Sequence, residues 1–226
     1  MIDPTTLPLP SAVPVFPLTG ALLLPRGVLP LNIFEPRYLA MIRDALAATG
    51  AAHRIIGMIQ PRRRNDPAPL FEIGCLGRIT DFQETEDGRI LLTLTGLSRF
   101  RVQAELDRNT PYRQVIADYL GFQDDRDTPP ALAPAARAGL EDVLKTYLDT
   151  QGLSADWDAV QSADDESLVT TLSSVCPFDP PEKQALLEAE DLAARAATLT
   201  ALMTFAIGPN PSSSDGPDSS NRPTLQ

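Results

Sequence analysis

The apolar residues of this chain change their period part-way along it, and that change limits the fold to a strand-built unit followed by a helical one. In residues 89–106 the apolar side chains fall on even positions (Ile90, Leu92, Leu94, Phe100, Val102, Ala104, Leu106), while Arg99, Arg101, Gln103 and Glu105 take odd ones. A repeat of two puts alternate side chains on opposite faces and predicts a half-buried strand. Phe71, Ile73, Cys75 and Ile79 alternate likewise, and residues 84–88 between the two runs end in a turn-forming Asp-Gly pair, so the two strands read as a hairpin. Gly77 and Gly96 interrupt them at places where a bulge or bend would curl the sheet toward a barrel.

After Pro129-Pro130 the period becomes 3.6. Leu132, Ala136, Leu140, Val143, Leu144 and Tyr147 form one helical stripe; Leu168, Val169, Leu172 and Val175 form a second; Leu192, Ala196, Leu199, Leu202, Met203 and Ala206 form a third. Asp179-Pro180-Pro181-Glu182 reads as a helix start, with a capping Asp, proline at the first helical position and Glu three residues after the cap. One helix interrupts the strand region, opening at Glu35-Pro36, with Leu39, Ile42 and Leu46 expected to face the barrel. The predicted class is α+β, divided into an N-terminal extension (1–12), a β barrel (13–123), a helical subdomain (124–207) and a tail (208–226) too polar and Pro-rich to bury anything, expected to be disordered.

The net charge of −11 weighs against nucleic acid, whose phosphates would repel the chain. The charge is uneven: residues 1–123 carry 13 basic and 12 acidic residues, residues 124–207 carry 5 and 16. Arg62-Arg63-Arg64 is the one basic run. It reads as a solvated loop or as a contact to RNA or an acidic partner. No apolar stretch approaches the roughly 18 residues of a membrane span, and the first residues do not read as an export signal, so the expected compartment is cytoplasmic. Cys75 and Cys176 are then expected to be buried thiols.

Several chemistries lack their residues. There is no phosphate-binding G-x-x-x-x-G-K-[ST] loop, and neither Lys145 nor Lys183 follows a glycine. His53 is the single histidine, which excludes His-pair metal sites. No serine sits in a G-x-S-x-G elbow. Asp164-Asp165-Glu166 reads as helix-start charge. No catalytic residue, metal or cofactor is expected.

The segment Val13-Pro14-Val15-Phe16-Pro17-Leu18, then Leu24-Pro25, then residues 29–38 (LPLNIFEPRY) resembles the opening signature of the substrate-binding domain of Lon-type proteases. Ile73-Gly74-Cys75-Leu76-Gly77, Gly96-Leu97-Ser98-Arg99-Phe100-Arg101 and residues 180–188 are similar to its central strands and late helices. The resemblance covers about residues 13–206 and implies a PUA-like pseudobarrel followed by a helical subdomain, in a stand-alone form without ATPase or peptidase parts. It implies binding of unfolded or exposed apolar polypeptide, as an adaptor or partner of a protease or chaperone. The alternatives are RNA binding by the PUA-like barrel and an undetected hydrolase. The candidate binding residues are Phe34, Glu35, Arg37, Tyr38, Arg99 and Phe100. Glu35 and Arg37 read first as residues that set the strand-to-helix junction, and Phe34, Tyr38 and Phe100 first as core, with contact to a partner the other reading of each.

Overall fold

The computed structural model describes residues 8–63 and 67–208. The expected extension up to residue 7, Arg64 of the basic run and the expected tail beyond Gly208 lie outside the described residues. Six strands, β1 (Ala12–Pro17), β2 (Val28–Ile33), β3 (Ile55–Ile59), β4 (Ile73–Glu84), β5 (Ile90–Leu106) and β6 (Gln114–Asp118), form one sheet in the order β2-β5-β4-β3-β1-β6. The 17-residue β5 carries two neighbours on one side: its first half pairs with β2, its second half with β6. Because β6 also pairs with β1, the sheet closes through β5 into a pseudobarrel and leaves β2 as an open edge.

Bulges decide which way each side chain points. Leu76 pairs with Ser98 while Gly77 pairs with Gly96, so Leu97 is an extra residue in β5. Side chains alternate, so one inserted residue reverses the faces beyond it. Ile90, Leu92 and Leu94 therefore point to the helical side, whereas Phe100 points into the barrel and the odd-numbered Arg99 turns to the helical side. The even positions predicted to share one face are thus split across two. Gly96 is needed at the bend: a Cβ there would lie 1.9 Å from the Leu24 carbonyl oxygen of the loop crossing it.

The barrel interior is a small core of Val13, Val15, Ile55, Ile59, Leu76, Phe100, Val115 and Ala117. The larger core lies between barrel and helices. It takes Tyr38, Met41 and Ile42 from α1 (Pro36–Ala47) and the buried stripes of α2 (Pro134–Gln151), α3 (Trp157–Ser162), α4 (Asp165–Val175), α5 (Pro180–Glu188) and α6 (Leu192–Ile207). Leu39 and Leu46 are only half-buried, because the inward stripe of α1 runs through Met41 and Ala45 instead. Ala136, Val175 and Ala206, expected on inward stripes, are exposed; each stripe ends within a turn of its helix terminus, and at 175–176 it is Cys176 that turns inward.

The helix starts follow their sequence signals. The Glu182 carboxylate accepts the Asp179 N–H at 2.7 Å, and Asp164 accepts the Ser167 N–H at 2.9 Å. Buried polar seams tie the two halves together. The Gln60 side chain donates to the Pro180 carbonyl at 2.9 Å and to Gln184 at 3.3 Å, and Gln184 donates back to the Ile73 carbonyl at 3.0 Å.

Candidate functional site

The outer face of the β2–β5 ribbon carries open apolar side chains among polar ones. Leu29, Leu31 and Ile33 oppose Leu94, Leu92 and Ile90 on the core side, so Val28, Pro30 and Asn32 oppose Thr95, Thr93 and Leu91 on the other. Val28 is 62% exposed and Leu91 43%. Phe34, just past the end of β2, is 61% exposed and lies 5.9 Å beneath the Arg89 guanidinium. Large side chains this open, gathered on one ribbon, mark an interaction surface more often than singly scattered ones do. Where β2 begins, a groove of about 270 Å³ runs between Val28 and α4, floored by Gly27 and Thr170 and flanked by the exposed Val175. The Arg26–Glu166 ion pair stands at the same groove.

The other signature residues take distinct places beside this face. The Glu35 carboxylate makes no capping bond to α1 and pairs with Arg37 at 3.1 Å. Arg37 in turn stacks 4.6 Å over the Tyr38 ring. Tyr38 is buried against Phe16, with ring centroids 4.2 Å apart, so its ring packs the core. Only Phe34, Glu35 and Arg37 of the six candidates are open to a partner.

Arg99 and Phe100 are interior. Phe100 is 0% exposed at the centre of the barrel, where a partner could reach it only by opening the sheet. Arg99 is 5% exposed and pairs with Asp125 in the 3₁₀ turn Gln123–Arg126: Nη2 lies 2.7 Å from Oδ1, and Nε 3.0 Å from Oδ2. Its remaining N–H groups donate to the Leu187, Ala189 and Glu190 carbonyls at the C-terminal end of α5. Those are acceptors that a helix end leaves without partners of its own.

Other polar groups serve geometry. His53 Nδ1 lies 2.8 Å from the Ala48 carbonyl, which holds the ring at the end of α1. Asp165 pairs with Arg137 at 2.8 Å and Glu166 with Arg26. Arg62 stacks 4.8 Å over Phe71 and shares Glu72 with Arg101, so this part of the basic run carries its own counter-charge. Among the described residues no group of three His, Cys, Asp or Glu side chains could hold a metal ion, and no helix is long and apolar enough to cross a membrane. Burial pushes the Cys176 thiol up to about 11 and the Cys75 thiol higher still. Neither thiol should therefore react with iodoacetamide at pH 8 in the folded protein, and both should react in denaturant; labelling of one in the native state, read by mass, would show that the core opens.

The family model described as the substrate-binding domain of ATP-dependent protease La (Lon) matches residues 12–204. Lon protease 2 of Myxococcus xanthus is 28% identical over 195 residues, 83% of this chain and 23% of its own length. Lon protease 2 of Sorangium cellulosum is 27% identical over 220 residues, 89% of this chain and 26% of its own. The chain thus spans about a quarter of the curated relatives it matches. A crystal structure of a Lon N-terminal domain protein from Xanthomonas campestris superposes with a TM-score of 0.60 at 24% identity, covering 84% of this chain and 97% of that one. The N-terminal domain of a Mycobacterium avium complex Lon protease superposes at 0.59 with 21% identity, covering 85% and 98%. The fold is theirs, a PUA-like pseudobarrel with a helical subdomain, and the chain belongs to the Lon substrate-binding domain family.

Proposed function

We propose that this chain is a non-enzymatic polypeptide-binding module that takes up exposed apolar stretches of unfolded protein on the outer face of the β2–β5 ribbon, as an adaptor or chaperone-like partner in proteolysis. The observation that carries the reading is the open apolar set Val28, Pro30, Phe34 and Leu91 on an edge ribbon, in a chain whose family model is named for substrate binding. Its affinity comes from side-chain burial. An edge strand tolerates proline because the missing N–H can face solvent, and Pro30 leaves an incoming strand one donor short. Apolar burial yields on the order of 25 cal/mol per Å², and four partly buried side chains give binding weaker than about 1 µM once association costs are met.

Burial of this kind is not screened by ions, whereas binding to phosphates weakens steeply through counterion release. A labelled, permanently unfolded protein and a labelled RNA are titrated at low and physiological salt. The unfolded protein should bind with little salt dependence, and Phe34→Ser with Leu91→Ser should weaken it at least tenfold. Uptake of the RNA alone would replace this reading with RNA binding by the barrel.

A further inference from the structure

On the other side of β2's entry loop, where barrel and helices meet, lies a second cavity, a cleft of about 480 Å³ lined by Arg26, Arg99 and Arg195, with Asp124, Asp127 and Glu190 among its other residues. Two of the arginines are already satisfied. Arg99 is forked onto Asp125, and Arg26 pairs with Glu166 while its Nη1 donates to the Asp125 carbonyl oxygen. Arg195 differs. It is 93% buried, since only 7% of its surface remains exposed, and its Nε donates to the Leu186 carbonyl at 2.9 Å. Among the described residues, its Nη1 and Nη2 have no acceptor and no carboxylate within ion-pair distance. Neither nitrogen is among the buried polar atoms cut off from solvent, so what remains open of this guanidinium faces the cleft that it lines. A buried charge without a partner is costly, and proteins seldom keep one idle. Burial, with the Arg99 guanidinium nearby, pushes Arg195 down to about 10, the sign of a positive charge short of compensation.

We propose that this cleft receives a carboxylate of a polypeptide, held by the two terminal nitrogens of Arg195. The planar fork of a guanidinium presents parallel donors at the spacing of the two carboxylate oxygens. A dianionic phosphate suits the cleft less well, because Asp124, Asp127 and Glu190 would repel the second charge. The same acids favour a cation beside the carboxylate. The ligand class is therefore a peptide in which a free carboxylate stands next to a lysine or arginine, the carboxylate being either the chain terminus or an acidic side chain. The site is separate from the apolar ribbon and does not depend on it.

Four probes discriminate: a short acetylated peptide ending in Lys-Ala with a free C-terminus, the same peptide as its amide, an amide peptide with an internal Lys-Glu pair, and inorganic phosphate. At a hundredfold excess over Kd, a ligand of the native state should raise the melting temperature of this protein by about 5–10 °C. At least one carboxylate peptide should do so and the amide of the Lys-Ala peptide, which keeps the lysine charge but has no carboxylate, should not; which of the two carboxylate peptides acts tells a terminal from a side-chain carboxylate. Arg195→Met should abolish the shift while melting close to the parent without ligand, and Arg195→Lys, which keeps charge without the fork, should weaken binding at least tenfold. The Phe34→Ser, Leu91→Ser protein should keep the full shift, which separates this site from the apolar face. If Arg195→Met fails to fold, the Arg195→Lys titration decides. A shift produced by phosphate alone, by no probe, or undiminished in the Arg195 variants overturns the proposal.

Discussion

Arg99→Met is expected to destabilise the fold by about 3–5 kcal/mol, the cost of removing one partner from a buried ion pair. The loss has two parts. Asp125, only 8% exposed, would lose the guanidinium and keep, among the described residues, a single donor, the Arg99 backbone N–H at 2.7 Å. The carbonyls at the end of α5 would lose the donors that now satisfy them. A second change separates the parts. In Arg99→Met with Asp125→Asn the unpaired charge is gone, while the amide oxygen introduced at position 125 still accepts the backbone N–H. The double variant should be more stable than Arg99→Met alone, and should stay below the parent because the α5 carbonyls remain uncapped. Denaturant unfolding of the parent, the two single variants and the double variant measures both differences. If Arg99→Met costs less than about 1 kcal/mol, the pair does not join the 3₁₀ turn to the barrel, and the helical half is held by apolar packing and the Gln60–Gln184 seam instead.

That junction shows where the sequence could be read and where it could not. Strand and helix periods placed the two halves, and the Asp179–Glu182 box marked the start of α5, because both signals are local and each is written in neighbouring residues. The Arg99–Asp125 pair joins residues 26 apart and the Gln60–Gln184 bond residues 124 apart, so no window of sequence contains either. The position of Arg99 was hidden for a further reason. Its odd number agreed with a solvent-facing strand position, but the extra residue Leu97 reverses the faces, and only the Gly77 and Gly96 interruptions hinted at the bulge. Of the candidate site, Phe34 and Glu35 were marked by the family signature alone. Leu91 was missed although it carried a readable signal: a large apolar residue on the polar phase of an alternating strand has no core to enter, and it is left facing solvent.

Phe100→Ala is expected to cost about 3–5 kcal/mol, the range for emptying an aromatic site in a packed core. The ring occupies the barrel because two glycines leave room for it, and the two do so in ways that can be told apart. The atoms nearest to a Cβ on Gly57 would belong to side chains, the Phe100 ring at 2.9 and 3.0 Å and a Val13 methyl at 3.0 Å. A Cβ on Gly74 would meet the ring at 2.7 Å and also the Met58 carbonyl oxygen at 2.6 Å, and that atom belongs to the paired backbone. Gly57→Ala and Gly74→Ala should each cost about 1–3 kcal/mol by overpacking. In a Phe100→Leu background the shorter side chain withdraws from both sites, so the cost of Gly57→Ala should shrink to what the Val13 methyl alone imposes. The cost of Gly74→Ala should persist, because the carbonyl has nowhere to go without breaking the sheet. Strict additivity of Gly57→Ala with Phe100→Leu, measured in a double-mutant cycle, would mean that the methyl and the ring do not compete for the same space, and the barrel core would have to be packed another way.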